Sequence, residues 1–99
     1  MSVMNVQDLL IKLKELKPAI TARYKAREMG VFGSFIRGEQ NANSDIDILV
    51  EFDEEADLFD LMGLTILLEK ELQRKVDVIP RRALRTELRE SVLREVVAL

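Results

Sequence analysis

The segment FGSFIRGEQNANSDIDILVEF, residues 32–52, contains the features that decide the predicted fold. Residues 29–32 form a short apolar stretch stopped by Gly33, which predicts a strand that ends in a turn. Residues 45–52 alternate acidic and apolar side chains in their first half and predict a second strand. Between the two strands, residues 34–38 predict a tight helical turn ended by Gly38, and residues 39–44 predict a polar loop.

Helical periodicity outside this segment predicts the remaining layers of the fold. Asn5 is a good N-cap for a helix over residues 5–16, and Pro18 either kinks that helix or starts a second one reaching about Tyr24. Further predicted elements are a helix over 58–72, a strand over 75–79 and a last helix over 81–97. The predicted fold class is α/β of the α+β type, one domain over residues 1–99 with a small mixed three-stranded sheet flanked by helices.

Composition excludes several classes of chemistry. The 99 residues include no cysteine, histidine or tryptophan, so thiolate or imidazole nucleophilic machinery is absent. A metal site would have to use oxygen ligands, which favours magnesium, manganese or calcium. The longest apolar run is the four residues 96–99. We therefore expect no membrane span and no signal peptide, and a small cytoplasmic domain.

Charge is distributed unevenly along the chain. Residues 39–69 carry ten acidic side chains and no basic one, and the net charge is −3. Such a chain lacks the basic footprint of nucleic-acid-binding modules, so no direct nucleic-acid binding is expected. An acidic block is either a solvated loop or a site that holds cations.

Two aspartates within that block are candidate cation ligands. Asp45 and Asp47 are two residues apart on a predicted strand, so their side chains share one face, while Ile46, Ile48 and Val50 fill the opposite, buried face. Adjacent carboxylates repel each other unless a cation lies between them, and magnesium needs little more than one or two carboxylates plus phosphates and water. The alternative is a strand whose outer face is simply wet and acidic.

The preceding turn is a candidate anion site. Gly33 permits close backbone approach, and the hydroxyl of Ser34 can donate to a phosphate oxygen. Arg37 can reach the same anion or lie on the surface. The alternative for the turn is an ordinary serine N-cap after a glycine.

Taken together, Gly33-Ser34, ten intervening residues and Asp45-x-Asp47 resemble the signature of the DNA polymerase β-type nucleotidyltransferase superfamily. The strings 32–39 and 44–52 are most similar to those of its smallest members, the stand-alone minimal nucleotidyltransferases (MNT) of bacteria and archaea. The resemblance covers about residues 5–98, and strand-placed Asp77 fits the later segment in which a third carboxylate lies. Basic Lys25 and Arg27 depart from the simple turn expected before the first strand.

This resemblance implies the polymerase β-type fold and a set of site residues. Asp45, Asp47 and Asp77 would be the catalytic carboxylates that bind two Mg²⁺ ions. Gly33 and Ser34 would hold the phosphates of ATP, with Arg37 as a further nucleotide-binding candidate. Asp77 would bind the catalytic metal or accept the acceptor's proton; its alternative is an ordinary acid on an edge strand.

Family members pair with a HEPN-domain toxin and act as its antitoxin, and relatives transfer AMP from ATP to a tyrosine hydroxyl of that toxin. The resemblance therefore implies an adenylyltransferase whose partners are ATP and a HEPN toxin, within a homo- or hetero-oligomer. Two alternatives stay open: an antitoxin that neutralises by binding alone, and a nucleotidyltransferase for a small molecule or an RNA end.

The surroundings of two predicted helices are not determined by the sequence pattern. The helix over 58–72 is apolar on more than one side, which indicates either full burial under the sheet or an interface with a partner. The arginines of the predicted last helix are expected to pair with its own acids, Glu87, Glu90 and Glu95.

Overall fold

A computed structural model describes the protein over residues 5–41 and 43–99. The elements follow in this order: α1 Val6–Tyr24, β1 Ala26–Phe32, α2 Ser34–Arg37, β2 Ile46–Phe52, α3 Leu58–Leu72, β3 Val76–Pro80, a 3₁₀ turn Arg81–Ala83, α4 Thr86–Glu95 and β4 Val97–Ala98. Residues 1–4 of the predicted domain and residue 42 of the predicted polar loop lie outside the described residues. Over the described residues, no helix combines the length and apolar character that crossing a membrane requires.

The sheet has the strand order β3-β2-β1-β4. β1 pairs antiparallel with β2 and β4, whereas β2 and β3 are parallel and are connected by α3. The carboxyl end of β1 therefore lies at the same edge of the sheet as the amino ends of β2 and β3. Every candidate site residue of the sequence belongs to these three strands or to the turns beside them.

Alternation along β2 separates the two faces of the sheet. Ile46, Ile48 and Val50 are fully buried, as predicted, in the larger core beneath α1 and α3. Leu49 points to the other face and packs with Phe32, Leu84 and Val92 in a smaller core. Because α4 carries Val92, it covers the same face on which Asp47 lies.

The predicted three-stranded sheet is wrong by one strand. The last helix was expected to continue to Val97, but α4 ends at Glu95 and residues 97–98 pair with Gly30 and Val31 of β1. Consecutive β-branched valines favour an extended backbone. Glycine at position 30 is required for the approach, because a Cβ there would lie 2.5 Å from Cγ2 of Val96.

Other boundaries also differ from the prediction. The last helix was expected to begin at Arg81, but residues 81–83 form a separate 3₁₀ turn and α4 begins at Thr86. Strand β1 begins three residues earlier than predicted, at Ala26, and its irregular pairing near Glu28 disturbs the alternation that would have revealed it. Helix α1 includes Pro18 and ends at Tyr24, so Pro18 starts no second helix; the predicted N-cap is confirmed, since Asn5 Oδ1 accepts from the amide of Asp8 at 2.8 Å.

Candidate active site

The turn after β1 has a backbone conformation that favours glycine. Gly33 has φ 81° and ψ −153°, a region that side chains with a Cβ rarely enter. It precedes the single turn of α2, which ends at Gly38 in the left-handed conformation. The carbonyl of Gly33 accepts from the amides of Ile36 and Arg37 at 3.0 and 3.1 Å. The sequence prediction of a tight helical turn between two glycines is confirmed.

Glycine at position 33 also makes room for a carboxylate. Phe32 of β1 is paired with Asp47 of β2, so the Asp47 side chain rises beside the turn. A Cβ on residue 33 would overlap Oδ2 of Asp47 and lie 2.9 Å from its Cγ. The backbone of the candidate anion site is thus in direct contact with the candidate metal ligand, although 14 positions separate them along the chain.

The three predicted carboxylates converge at this edge of the sheet. Asp47 and Asp77 are register partners on the parallel strands β2 and β3, and Asp45 lies just before β2. Burial raises the pKa of Asp47 most, and the charges of Asp77 and Asp45 raise it further. Asp47 is half-buried, whereas Asp45 and Asp77 are exposed to solvent. The repulsion that the sequence predicted for neighbouring acids thus adds to a pKa that burial already raises.

The set of donors suits a hard cation. Its ligands would be carboxylate oxygens, and the charges of Asp77 and Asp45 contribute, after burial, to the raised pKa of Asp47. Over residues 5–41 and 43–99, no group of three or more such side chains is already gathered as tightly as a bound metal requires. The side chains would have to move closer together to bind a cation. Asp45 and Asp77 are exposed, so they have room to move.

Glu95 is a site residue that the sequence did not reveal. Its Oε2 accepts from the backbone N–H of Gly33 at 2.9 Å, and its Oε1 accepts from Nη1 of Arg37 at 3.0 Å. The amide of Gly33, followed by Arg37, holds the pKa of Glu95 below its usual range. The expected pairing of Glu95 within its own helix is wrong, whereas that of Glu90 is confirmed by its bond with Arg94.

Arg37 shares Glu95 with the Gly33 amide, and two carboxylates engage its guanidinium. Its Nε donates to Glu39 Oε1 at 2.7 Å, in addition to the bond with Glu95. Hydrogen bonds to Glu39 and Glu95 raise the pKa of Arg37, so its guanidinium stays protonated. No local pattern near residue 95 could have indicated the contact, because 58 positions separate it from Arg37.

Comparisons with known proteins agree with this geometry. The family description "Nucleotidyltransferase domain" matches residues 13–99. The protein adenylyltransferase MntA of Thermococcus cleftensis is 37% identical over 97 residues, which cover 98% of each chain. A solved structure of a minimal nucleotidyltransferase is 38% identical, with a TM-score of 0.86 and full coverage of both chains. A toxin–antitoxin complex solved with AMP-PNP is 27% identical, with a TM-score of 0.68, and the match covers 96% of this chain and 72% of that one.

A four-stranded mixed sheet with a glycine-serine turn facing strand-borne aspartates, together with these matches, defines an enzyme with a nucleotidyltransferase fold. The chain belongs to the nucleotidyltransferase domain family, and within it to the minimal nucleotidyltransferases. The resemblance predicted from residues 32–52 is confirmed.

Proposed function

We propose that the protein is a Mg²⁺-dependent protein adenylyltransferase that transfers AMP from ATP to a tyrosine hydroxyl of a partner HEPN toxin and thereby acts as its antitoxin. The observation that carries this proposal is the register of β1, β2 and β3. It sets Asp47 against the Gly33 turn on one side and beside Asp77 on the other. The similarity to an adenylyltransferase and to a nucleotide-bound toxin–antitoxin complex supports the choice of ATP and of a protein acceptor.

The proposed step is an in-line displacement at the α-phosphorus. The acceptor oxygen forms a bond to that phosphorus, the bond to the diphosphate breaks, and the diphosphate leaves with its electron pair. The hydroxyl proton passes to the carboxylate of Asp77 or to water. Two Mg²⁺ ions bound by Asp45, Asp47 and Asp77 would neutralise charge on the entering and leaving oxygens.

The roles of the turn residues follow from their chemistry. Gly33 brings backbone within reach of the phosphates, and Ser34 contributes a hydroxyl donor at the start of α2. Arg37 contributes a guanidinium whose planar donors suit phosphate oxygens.

The acceptor protein needs a docking surface near Asp77, and α3 provides one. Its outer side carries four exposed apolar residues, which we term the α3 strip: Leu58, Phe59, Met62 and Ile66. Phe59 is 81% exposed and Ile66 is 64% exposed, so of the two alternatives for this helix full burial under the sheet is excluded. A cleft of about 380 Å³ between α3 and β3 is lined by Met62, Ile66 and Asp77, so the strip adjoins one of the three acids.

Charge beside the α3 strip indicates the chemistry of its occupant. The segment before and at the start of α3 is strongly acidic, with carboxylates at Asp53, Glu54, Glu55, Asp57 and Asp60. A toxin surface that fits would therefore present apolar side chains bordered by lysine or arginine.

The direct test incubates the purified HEPN toxin with this protein, ATP and Mg²⁺, and measures the toxin's intact mass. We expect a mass gain of one or more AMP units, abolished by Asp47→Asn. Glu87→Gln is the control, because that exposed glutamate lies in the first turn of α4, at the other end of the helix from Glu95. Toxin that is neutralised without any mass gain would replace this proposal with the binding-only antitoxin. Transfer to RNA or a small molecule, with none to the toxin, would select the third alternative.

A further inference from the structure

The carboxylate of Glu95 uses both of its oxygens at the candidate nucleotide site. One oxygen accepts from the Gly33 amide at 2.9 Å and the other from the Arg37 guanidinium at 3.0 Å. Glu95 is the last residue of α4, so a distant part of the chain provides this contact. A backbone amide next to Ser34 and a guanidinium are the donors that would meet the oxygens of a phosphate group.

The Gly33 amide cannot serve Glu95 and a phosphate at the same time, because its single N–H makes one strong hydrogen bond. Arg37 has five N–H donors, but it is held between Glu95 and Glu39, which accepts from its Nε at 2.7 Å. A triphosphate placed against the turn would also bring negative charge next to the Glu95 carboxylate. Occupation of the Gly33 amide by Glu95 and by a phosphate oxygen is therefore mutually exclusive.

We infer that the Gly33 amide and the Arg37 guanidinium form an anion subsite for the triphosphate of the nucleotide, and that Glu95 fills this subsite until the nucleotide displaces it. The inference rests on the proposed function, since it requires a nucleoside triphosphate to bind at the Gly33 turn. Glu95 thereby lowers the apparent affinity for the nucleotide, because only the fraction of molecules with an open subsite can bind.

Displacement requires movement of the side chain alone. The backbone on the carboxyl side of Glu95 is held by the Val96 amide, which donates to Val92 at 2.9 Å, and by β4, whose residues pair with β1. The amide of Leu99 donates to Met29 at 3.0 Å and anchors the strand further. A glutamate side chain has enough rotatable bonds to leave the subsite while this backbone stays in place.

The test measures binding of inorganic triphosphate, and of ATP, with Mg²⁺ by titration calorimetry. Glu95→Gln keeps an oxygen that can accept from Gly33 but presents only one acceptor and no charge, whereas Glu95→Ala removes both contacts. We expect affinity to increase in the order native protein, Glu95→Gln, Glu95→Ala, with a gain of roughly fivefold for the alanine variant. Glu90→Gln is the control on the same helix, since Glu90 pairs with Arg94 on the exposed surface and should leave affinity unchanged.

The opposite order, with the native protein binding most tightly, would show that Glu95 positions the turn for the nucleotide and would overturn the inference. Unchanged affinity would overturn it as well. If Glu95→Ala fails to fold, the comparison of Glu95→Gln with the native protein decides the matter alone.

A simple loss of like-charge repulsion could also tighten binding, and a double-mutant cycle separates it from competition. If Glu95 occupies Arg37, then Arg37→Ala should weaken triphosphate binding more in the Glu95→Gln background than in the native protein. Additive effects of the two substitutions would overturn the inference while leaving the proposed function intact, since native protein would still bind ATP and transfer AMP. Failure of every variant and of the native protein to bind ATP would overturn both.

Discussion

Alanine at position 33 should be much more damaging than alanine at position 38. Gly33 has φ 81° and ψ −153°, where backbone strain costs about 1–3 kcal/mol for other residues. Its new methyl group would also overlap the Asp47 carboxylate, which adds an overpacking cost of about 1–3 kcal/mol. Gly38 has φ 73° and ψ 22°, and no atom lies within 4 Å of a Cβ placed there, so the left-handed backbone cost of about 1–2 kcal/mol stands alone.

Urea denaturation of the metal-free protein measures the difference. We expect Gly33→Ala to lower the free energy of unfolding by about 3 kcal/mol, which for a slope of about 2 kcal/mol/M moves the midpoint by about 1.5 M. Part of that loss should disappear when Gly33→Ala is made in an Asp47→Ala background, because the steric conflict is then gone and only the backbone strain is left. AMP transfer should be lost in Gly33→Ala, because the new methyl group displaces the Asp47 carboxylate from its position beside the turn. A loss no larger than that of Gly38→Ala, or one independent of residue 47, would refute the contact between the turn and Asp47.

Three further predictions address the acids and the partner surface. The folded-state pKa of Asp47 is raised, so its ionised form destabilises the metal-free protein at neutral pH. Asp47→Asn should therefore be the more stable protein in urea at pH 7. The difference should shrink as the pH falls from the raised folded-state pKa to the ordinary aspartate pKa. A native protein that is more stable than Asp47→Asn at pH 7 would contradict this. The pKa of Glu95 is lowered in the folded state, so its contribution to stability is present above the ordinary glutamate pKa and is lost as the pH falls through the folded-state pKa. Thermal unfolding should show this loss at acid pH in the native protein and not in Glu95→Gln. Phe59→Glu should abolish toxin binding in a pull-down and leave ATP binding unchanged. The control is Leu88→Glu, at an exposed leucine of α4 on the other face of the sheet, which should leave both intact. Equal loss in the two variants would show that the α3 strip is not the docking surface.

The extent to which sequence predicts this site depends on the chain distance between its parts. The turn at Gly33 and the strand with Asp47 belong to one hairpin-like unit, so glycine, serine and alternation within residues 32–52 were sufficient to place them together. Asp77 lies on β3, beyond the crossover through α3, and only the family resemblance placed it beside the other two acids. The β2–β3 register pairs it with Asp47. Its catalytic role stays a prediction.

The errors concentrate in the last fifth of the chain. Apolar spacing through Leu84, Leu88 and Val96 matched a single helix, yet Leu84 lies before α4 and Leu88 is exposed. Pairing of β4 depends on the unoccupied edge of β1 and on the missing side chain of Gly30, and neither can be read from residues 81–99. Because the end of α4 was misplaced, the contact of Glu95 with the Gly33 turn could not be anticipated.

The charges around Asp47 bear on the proposal that this site binds its nucleotide together with a cation. Burial raises the pKa of Asp47 most; the carboxylates of Asp77, Asp45 and Glu95 raise it further, while the guanidinium of Arg37 lowers it. That guanidinium is itself shared between Glu39 and Glu95. A polyphosphate approaching this edge would therefore meet several negative charges and one shared guanidinium. Under the proposed function, divalent cations between the aspartates and the phosphates would offset those charges, and the release of Arg37 from Glu95 would add positive charge on the side of the turn. The repulsion among the carboxylates of the free protein would then favour binding of the metal–nucleotide complex.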